Sequence, residues 1–317
     1  MSPDLNGDLV FSDTAGLYGA YFVVTNYEGD AKGHFGDAIQ YVDTSGALKE
    51  IKDASSYWGC SHNTGIAFEA GGDQPPFASI CAEDHGSIWL NTATRGMSGK
   101  KIAGENTTNG ASGEPMGGMS GSYSQLASFP TTSEYIFAWP TRGCINLRPD
   151  EWLGNGNTQC DPRTPNHNVA ISLMADKTTL KGAEAISQVG AAEGDAQINW
   201  ITQGPGTDHS NVHAAAFDAS RALVTWEEIA QPVCEAPAFG CYGVFSGSVY
   251  QLVDKEGKKL GEPISSSDTY VAGDIAKIGE KLCWPYVSMK WDLSKEADES
   301  KTTFNKLSFA CVGAAGG

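Results

Sequence analysis

A short hydrophobic run recurs along this chain of 317 residues and restricts the folds that it can adopt. The five copies lie at residues 20–27, 77–84, 134–140, 222–228 and 281–287. Neighbouring copies are about 57 to 60 residues apart, apart from one longer interval between the third and the fourth. Helical periodicity is weak everywhere, with one candidate at 180–189. A long repeat built from strand-like runs predicts an all-β repeat protein.

Each copy is interpreted as the second strand, B, of a unit of four antiparallel strands. A strand of small residues, A, precedes four of the copies, at 64–69, 122–127, 212–218 and 274–278. A third strand, C, follows at 38–43, 87–92, 168–174, 248–254 and 306–312, and a polar fourth strand, D, at 48–51, 101–104, 180–185 and 259–264. The turns between C and D at 43–46 and 254–257 both end in glycine, which suits a positive φ.

Four antiparallel strands per repeat are typical of propeller blades. The sequence therefore predicts one five-bladed β-propeller domain over residues 1–317, with blades at approximately 9–53, 54–107, 108–189, 190–265 and 266–317. Because the fifth unit stops after its C strand, we expect residues 5–15 to contribute to ring closure. They would form either the outer strand of the fifth blade or the inner strand of the first. A β-sandwich and a β-helix are the competing architectures.

The eight cysteines provide a test of this arrangement. Pairing in chain order joins Cys60 to Cys81, Cys144 to Cys160, Cys234 to Cys241 and Cys283 to Cys311, and in each pair both cysteines lie at one end of a unit. Metal binding is the alternative for such a set, but the chain has no C-x-x-C motif. We predict four sequential disulfides and no metal.

The composition also restricts partners and location. A net charge of −17 disfavours nucleic acid and anionic membranes as partners and favours small molecules or neutral glycans. So many cysteines are typical of an oxidised, secreted protein. Residues 1–4 do not resemble a leader, so we expect a secreted or secretory-pathway protein whose leader has been removed. Asn106 begins an Asn-Thr-Thr triplet and is a candidate glycosylation site. The sequence does not fix the oligomeric state.

The predicted ligand site lies at one mouth of the propeller channel. All six histidines fall on this face in the four-strand scheme, and His62 and His213 lead into A strands. Either histidine could be a general acid or base near neutral pH, with Asp208 or Asp274 as its orienting carboxylate. Further candidates on this face are Trp58, Asn63, Tyr123, Arg142, Trp200, His209 and Asn211. The alternative interpretation is that the polar members bond to one another and to channel water.

Carboxylates offer a different chemistry. Glu83, Asp84 and Glu227 end B strands, and a pair across the channel would suit glycoside hydrolysis. The chain has no Walker loop, G-x-S-x-G, H-E-x-x-H or dinucleotide fingerprint. We therefore expect chemistry without a cofactor.

Residues 210–289 carry a resemblance to a known group of proteins. The stretches 211–218, 224–228, 250–254 and 282–289 resemble secreted fungal propeller proteins that include the hetero-Diels–Alderases of tropolone sesquiterpenoid biosynthesis. The resemblance implies release of an o-quinone methide from a hydroxymethyl tropolone and its [4+2] addition to a humulene-type alkene. It implies hydrophobic small-molecule substrates and no cofactor.

No family motif fixes catalytic positions, so the roles come from this chain's own residues. Trp58, Tyr123, Trp200 and Trp284 would form apolar walls, and His62, His213 and Arg142 would assist loss of water and polarise the tropolone carbonyl. The remaining binding candidates are Asn63, His209, Asn211 and Asp274. A glycan-binding propeller lectin, a glycoside hydrolase or lyase, and a structural surface protein are the alternatives.

Overall fold

A computed structural model describes residues 7–25, 32–33, 35–60, 63–83, 87–90, 99–104, 125–149, 158–234, 241–286 and 306–313. These residues form strands, turns and coil, with no helix among them, so the prediction of an all-β protein is confirmed. The weak helical candidate at 180–189 is wrong. Its backbone instead bonds to neighbouring strands, because Lys181 N donates to Leu173 O and Ala185 N donates to Lys101 O, each over 2.9 Å.

The strands form five successive antiparallel sheets. The first sheet has β1 (Gly7–Ser12), β2 (Leu17–Thr25), β3 (Phe35–Asp43), β4 (Leu48–Lys49) and β5 (Ser56–Gly59). The second has β6 (Asn63–Glu69), β7 (Ala78–Glu83), β8 (Ser87–Leu90) and β9 (Lys100–Gly104). In the main run of each sheet, the spatial order of the strands is their order along the chain.

The third sheet is interrupted by a separate hairpin. It has β10 (Gln125–Ser128) and β11 (Tyr135–Thr141), then the hairpin of β12 (Ile145–Pro149) and β13 (Thr158–Asp161), then β14 (Asn168–Asp176), β15 (Thr179–Leu180) and β16 (Asn199–Trp200). The fourth has β17 (Thr207–Ala216), β18 (Arg221–Cys234), β19 (Cys241–Asp254) and β20 (Lys259–Ser266). The fifth has β21 (Ala276–Ile278), β22 (Lys281–Tyr286) and β23 (Ser308–Gly313).

Two segments assigned by sequence to the next unit pair instead with the preceding sheet. β5 pairs with β3, and β16 pairs with β14. The fourth strands β4 and β15 are only two residues long, so they leave part of the outer edge of β3 and of β14 free. The chain satisfies those backbone groups on its way to the next inner strand. Of the two places expected for the first residues, the structure supports the first sheet, because β1 pairs with β2 as the first strand of that sheet.

Consecutive sheets pack face to face through hydrophobic clusters. Tyr41 and Phe77 meet between the first and second sheets, Ile80 and Phe137 between the second and third, Ile171 and Val224 between the third and fourth, and Leu223 and Leu282 between the fourth and fifth. Burial of each side chain of this size stabilises the folded state by about 1.5–3 kcal/mol. The core is therefore a series of layers between sheets.

All four predicted disulfides are present. They join Cys60 to Cys81, Cys144 to Cys160, Cys234 to Cys241, and Cys283 to Cys311. Four disulfides indicate an oxidising, secretory environment. None of the described segments is a helix with the length and apolar character needed to cross a membrane.

Candidate functional site

A cavity of about 340 Å³ lies between the fourth sheet and the segment that leads to the fifth. Its walls are formed by Ser210, Asn211, His213, Glu227, Tyr270, Val271, Ala272 and Gly273. The volume is at the lower end of the range for small-molecule sites. The cavity brings two residues predicted for the site, Asn211 and His213, together with Glu227.

A β-bulge aims Asn211 into this cavity. The pairing of β17 with β18 shifts between Ser210 and His213, and Asn211 has a φ of 50°. Asparagine tolerates this left-handed conformation better than most residues. The bulge interrupts the alternation of the strand, so the side chains of Asn211 and His213 both reach the cavity.

Asn211 links the two titratable side chains of the cavity. Its Nδ2 donates to Glu227 Oε1 over 2.8 Å and to Val271 O over 2.7 Å. Its Oδ1 therefore faces His213 Nε2, at 3.0 Å. Because an amide oxygen only accepts, Nε2 of the neutral imidazole carries the proton and Nδ1 has the free lone pair.

The cavity moves the two pKa values in opposite directions. Burial lowers the pKa of His213 to about 4, so the imidazole is neutral at pH 7. Burial also raises the pKa of Glu227 to about 7, against the opposing effect of its hydrogen bond from Asn211. Near neutral pH the cavity therefore holds an unprotonated imidazole and a carboxyl group that retains its proton to a higher pH than an exposed glutamate does.

Aromatic side chains pack in the same hydrophobic cluster as Val271, one of the cavity walls. Tyr250 stacks on Trp284 with ring centroids 5.3 Å apart, and the Tyr250 hydroxyl donates to Thr269 O over 2.9 Å. Trp284, predicted as a wall of the channel mouth, is 3% exposed and packs in the core between the fourth and fifth sheets. It shares a hydrophobic cluster with Val271 and does not line the cavity.

The other predicted site residues are dispersed. Trp200 lines a second cavity, and Trp58 packs in the first sheet against Gly36. His209 is buried, with Nδ1 2.7 Å from His167 O. Arg142 is 8% exposed and is absent from the walls of both cavities. His62 and Tyr123 lie outside the described residues, and Asn63 is described only as part of β6.

Neither predicted orienting carboxylate contacts His213 in the described structure. Asp208 Oδ1 accepts from the backbone N of His167 over 2.7 Å and lies 2.9 Å from the Nδ1 of that histidine. Asp274 accepts a hydrogen bond of 3.4 Å from Gln125. The amide of Asn211 takes the orienting position instead.

Asp274 belongs to a group of polar side chains on or next to the first strands of the sheets. Gln125 Oε1 accepts from Ala214 N over 3.3 Å, which links the third sheet to the fourth. Asp8 Oδ2 accepts from Phe68 N over 2.9 Å, which links the first sheet to the second. Burial, and secondarily the charge of Asp274, raises the pKa of Asp8 to about 7. Hydrogen bonds and the charge interaction between Asp8 and Asp274 therefore link segments on or next to the first strands of all five sheets.

The sequence could have indicated Glu227 more strongly than it did. Glu227 is opposite Ser210 on β17 and Ser248 on β19, within the stretch that carries the His213 strand and its partner. It was predicted only as one of several carboxylates at strand ends. The predicted pairing of the A and B strands places Glu227 close to the start of the His213 strand. The bulge that brings Asn211 to Glu227, however, has no recognisable sequence pattern.

Two groups of side chains have the spacing of metal ligands. They are Asp37 with Cys60 and Cys81, and His167 with Asp208 and Cys241. Their cysteines are all in disulfides and present no thiolate. No protein-family model matches the chain, and no curated protein matches it.

Proposed function

We propose that this chain is a cofactor-independent enzyme of the hetero-Diels–Alderase class, and that its chemistry takes place in the cavity of Glu227 and His213. The observation that carries the proposal is the arrangement of a raised-pKa carboxyl and a lowered-pKa imidazole in one small cavity, joined through Asn211. A proton donor and a proton acceptor held in one cavity are the groups that general acid–base catalysis uses.

The first step is loss of water from a hydroxymethyl tropolone. The protonated Glu227 gives its proton to the leaving hydroxyl, the carbon–oxygen bond breaks, and His213 Nδ1 accepts the proton of the ring hydroxyl. The products are water and an o-quinone methide, with Glu227 as carboxylate and His213 as imidazolium. A proton transfer through water then restores both groups.

The second step is the [4+2] addition of the o-quinone methide to a humulene-type alkene. Two bonds form between the partners without net transfer of protons or electrons. The protein contributes position and exclusion of water, and the cavity walls at Tyr270, Val271 and Ala272 offer aromatic and apolar surface for this. A cavity of about 340 Å³ suits the tropolone ring, with the alkene at its opening.

Glycoside hydrolysis fits the same cavity less well. A raised-pKa glutamate is the usual general acid, but most glycosidases use a second carboxylate. Glu227 is the one carboxylate among the described residues that line this cavity.

The decisive experiment is incubation of the purified chain with a hydroxymethyl tropolone and α-humulene, with adduct formation followed by chiral chromatography. We expect one stereoisomer in excess and a rate that falls as the pH rises through about 7, the pKa of Glu227. Glu227→Gln should lower the rate by about 100-fold or more. Glu228→Gln is the matched control, because Glu228 accepts from Trp226 Nε1 and lies outside the cavity lining.

Adduct formation at the rate of the buffer reaction, or equal rates for the Glu227→Gln and Glu228→Gln variants, would refute the proposal. Activity that depends on Glu227 but occurs with aryl glycosides in place of the tropolone would favour the glycosidase alternative.

We further propose that the five sheets close into a five-bladed propeller. Three observations support closure. Consecutive sheets stack, segments on or next to their first strands are linked, and the outward faces of the first and last sheets are both apolar. Leu9 and Phe11 on β1 are 66% and 40% exposed, and Phe309 on β23 is 67% exposed. In a closed ring, the exposed apolar face of the first sheet would be buried against that of the last sheet.

Closure is tested by charge substitution on the two faces. If Leu9 and Phe309 are buried against each other's sheets, Leu9→Asp and Phe309→Asp should each lower the free energy of unfolding by about 2 kcal/mol or more. Ile264→Asp, at a residue 61% exposed on β20, is the control and should change it by about 0.5 kcal/mol or less. Effects no larger than the control at both positions would contradict a closed ring.

A further inference from the structure

A second cavity lies beside the third sheet and is distinct from the acid–base site. It has a volume of about 370 Å³ and is lined by Arg163, Thr164, Asn168, Glu193, Ala196, Trp200, Gln203 and Gly204. None of these residues lines the first cavity. We propose that it binds a neutral saccharide, independently of the chemistry proposed for Glu227 and His213.

One wall is formed by the Trp200 indole with the Arg163 guanidinium near its ring. The Arg163 guanidinium carbon lies 5.8 Å from the centre of the Trp200 ring. The guanidinium is held by Asp195, to which it donates twice, and by Glu193 at 3.4 Å. Because Asp195 is fully buried and also accepts from Cys144 N over 2.9 Å, the position of this wall is fixed in advance of binding.

Gly143 permits this close packing. It has a φ of 74°, and an added Cβ would contact Asp195, Arg163 and the far edge of the Trp200 ring. The pyranose ring of a saccharide presents an apolar C–H face, which suits packing against the partly exposed Trp200 indole.

Polar groups around the wall are free for a ligand. Gln203 is exposed, and neither its amide nor the Trp200 Nε1 has a hydrogen-bond partner among the described residues. The Glu193 side chain is 50% exposed and has unused acceptor capacity. Donors and acceptors in this mixture match vicinal hydroxyls, each of which can both donate and accept.

The charge of the cavity selects a neutral ligand. Asp195 neutralises Arg163, so Glu193 leaves a local excess of one negative charge in a chain of net charge −17. Anions are therefore repelled. Cations are disfavoured because the positively charged Arg163 guanidinium already lies near the Trp200 ring. Asn168, 2% exposed, is satisfied internally by Thr164 and Thr202 and gives the cavity a rigid floor.

Titration calorimetry with four neutral tetrasaccharides, derived from cellulose, laminarin, mannan and chitin, tests the proposal. At least one should bind, with a Kd of about 10⁻³ M or lower. Gln203→Ala and Trp200→Phe should each weaken that binding by about 5-fold or more, because the first removes the amide and the second removes Nε1 together with part of the aromatic surface. Gln74→Ala, at another exposed glutamine, is the control and should leave the Kd unchanged.

Thermal unfolding of each variant shows whether it is folded before titration. Failure of all four tetrasaccharides to bind overturns the proposal, as does unchanged affinity in both folded cavity variants. Binding of tetragalacturonate as tight as that of the neutral ligands overturns the assignment to neutral saccharides. Loss of tropolone chemistry in Glu227→Gln with saccharide binding intact is the expected sign that the two sites are separate.

Discussion

The Nδ2 atom of Asn211 lies 2.8 Å from Oε1 of Glu227, and this bond holds the candidate site together. The same amide is bound to Val271 O, on the segment that leads to the fifth sheet. A single side chain in a β-bulge therefore connects two strands of the fourth sheet with the segment that precedes the fifth and fixes the tautomer of His213.

Two substitutions of Asn211 distinguish the contribution of its side chain to stability from the cost of its backbone conformation. Asn211→Gly removes the amide but accepts a φ of 50°, whereas Asn211→Ala removes the amide and retains the conformational cost. We expect both variants to lose stability, and the alanine variant to be less stable than the glycine variant by about 1 kcal/mol. Urea unfolding of the two variants measures this difference. Equal stability would mean that the bulge relaxes once the amide is gone.

The stability of the chain should depend on pH through Glu227. Its pKa is about 7 in the folded chain and 4.5 in the unfolded reference, so between these values the folded state binds more protons. The stability associated with this group is complete below about pH 4.5 and is lost as the pH rises through about 7.

Glu227→Gln abolishes that titration. Its stability relative to the wild type should therefore increase from pH 5 to pH 8, by up to about 3 kcal/mol. Denaturant unfolding at a series of pH values gives this difference directly, because the titrations of other groups cancel. A difference that is constant with pH would show that the Glu227 carboxyl does not carry the raised pKa.

The turns of the first and fourth sheets provide a matched pair of glycines. Gly46 and Gly257 have φ values of 84° and 79°, but a Cβ at Gly46 would meet nothing within 4 Å, whereas one at Gly257 would clash with Asn199 Nδ2. Gly46→Ala should cost about 1 kcal/mol, the cost of the left-handed conformation. Gly257→Ala should cost about 1 kcal/mol more in stability, since the added Cβ would meet Asn199 of the third sheet. Equal losses in thermal unfolding would argue against that packing.

Burial distinguishes two arginine–aspartate pairs. Arg163 pairs with Asp195, which is fully buried, whereas Arg148 and Asp161 have side chains 49% and 47% exposed. Arg163→Met should destabilise the chain by about 3 kcal/mol because it leaves a buried carboxylate unpaired, and Arg148→Met by about 1 kcal/mol or less. Addition of Asp195→Asn to the first variant should recover part of the loss. A double variant as unstable as the single one would point to lost packing as the cause.

Much of the fold could be predicted from the sequence because the signals are local. The runs at 77–84, 134–140 and 281–287 are the second strands of their sheets, and β3, β14 and β19 follow in the predicted C positions. The turns at Gly46 and Gly257 have the expected positive φ. Prediction was poorest at the fourth strands, where β15 has two residues, because an exposed edge carries little hydrophobic pattern.

The candidate site was predictable only in part. Asn211 and His213 were predicted as site residues and do line the first cavity. The other candidates were predicted at the same channel mouth, but Trp284 packs in the core. Arg142 and Trp200 also lie away from the first cavity. Residue type predicts that a side chain can bind or catalyse. It does not predict which side chains from separate strands converge.

The sequence by itself determined the all-β character, the order of the strands and the pairing of the cysteines, because alternation, turn residues and chain order act between neighbours in sequence. Only the tertiary structure decided that Glu227, Asn211 and His213 share a cavity with residues 270–273. That outcome depends on a bulge and on the packing of two sheets. The shifted pKa values depend on it too, since burial is a property of the assembled fold.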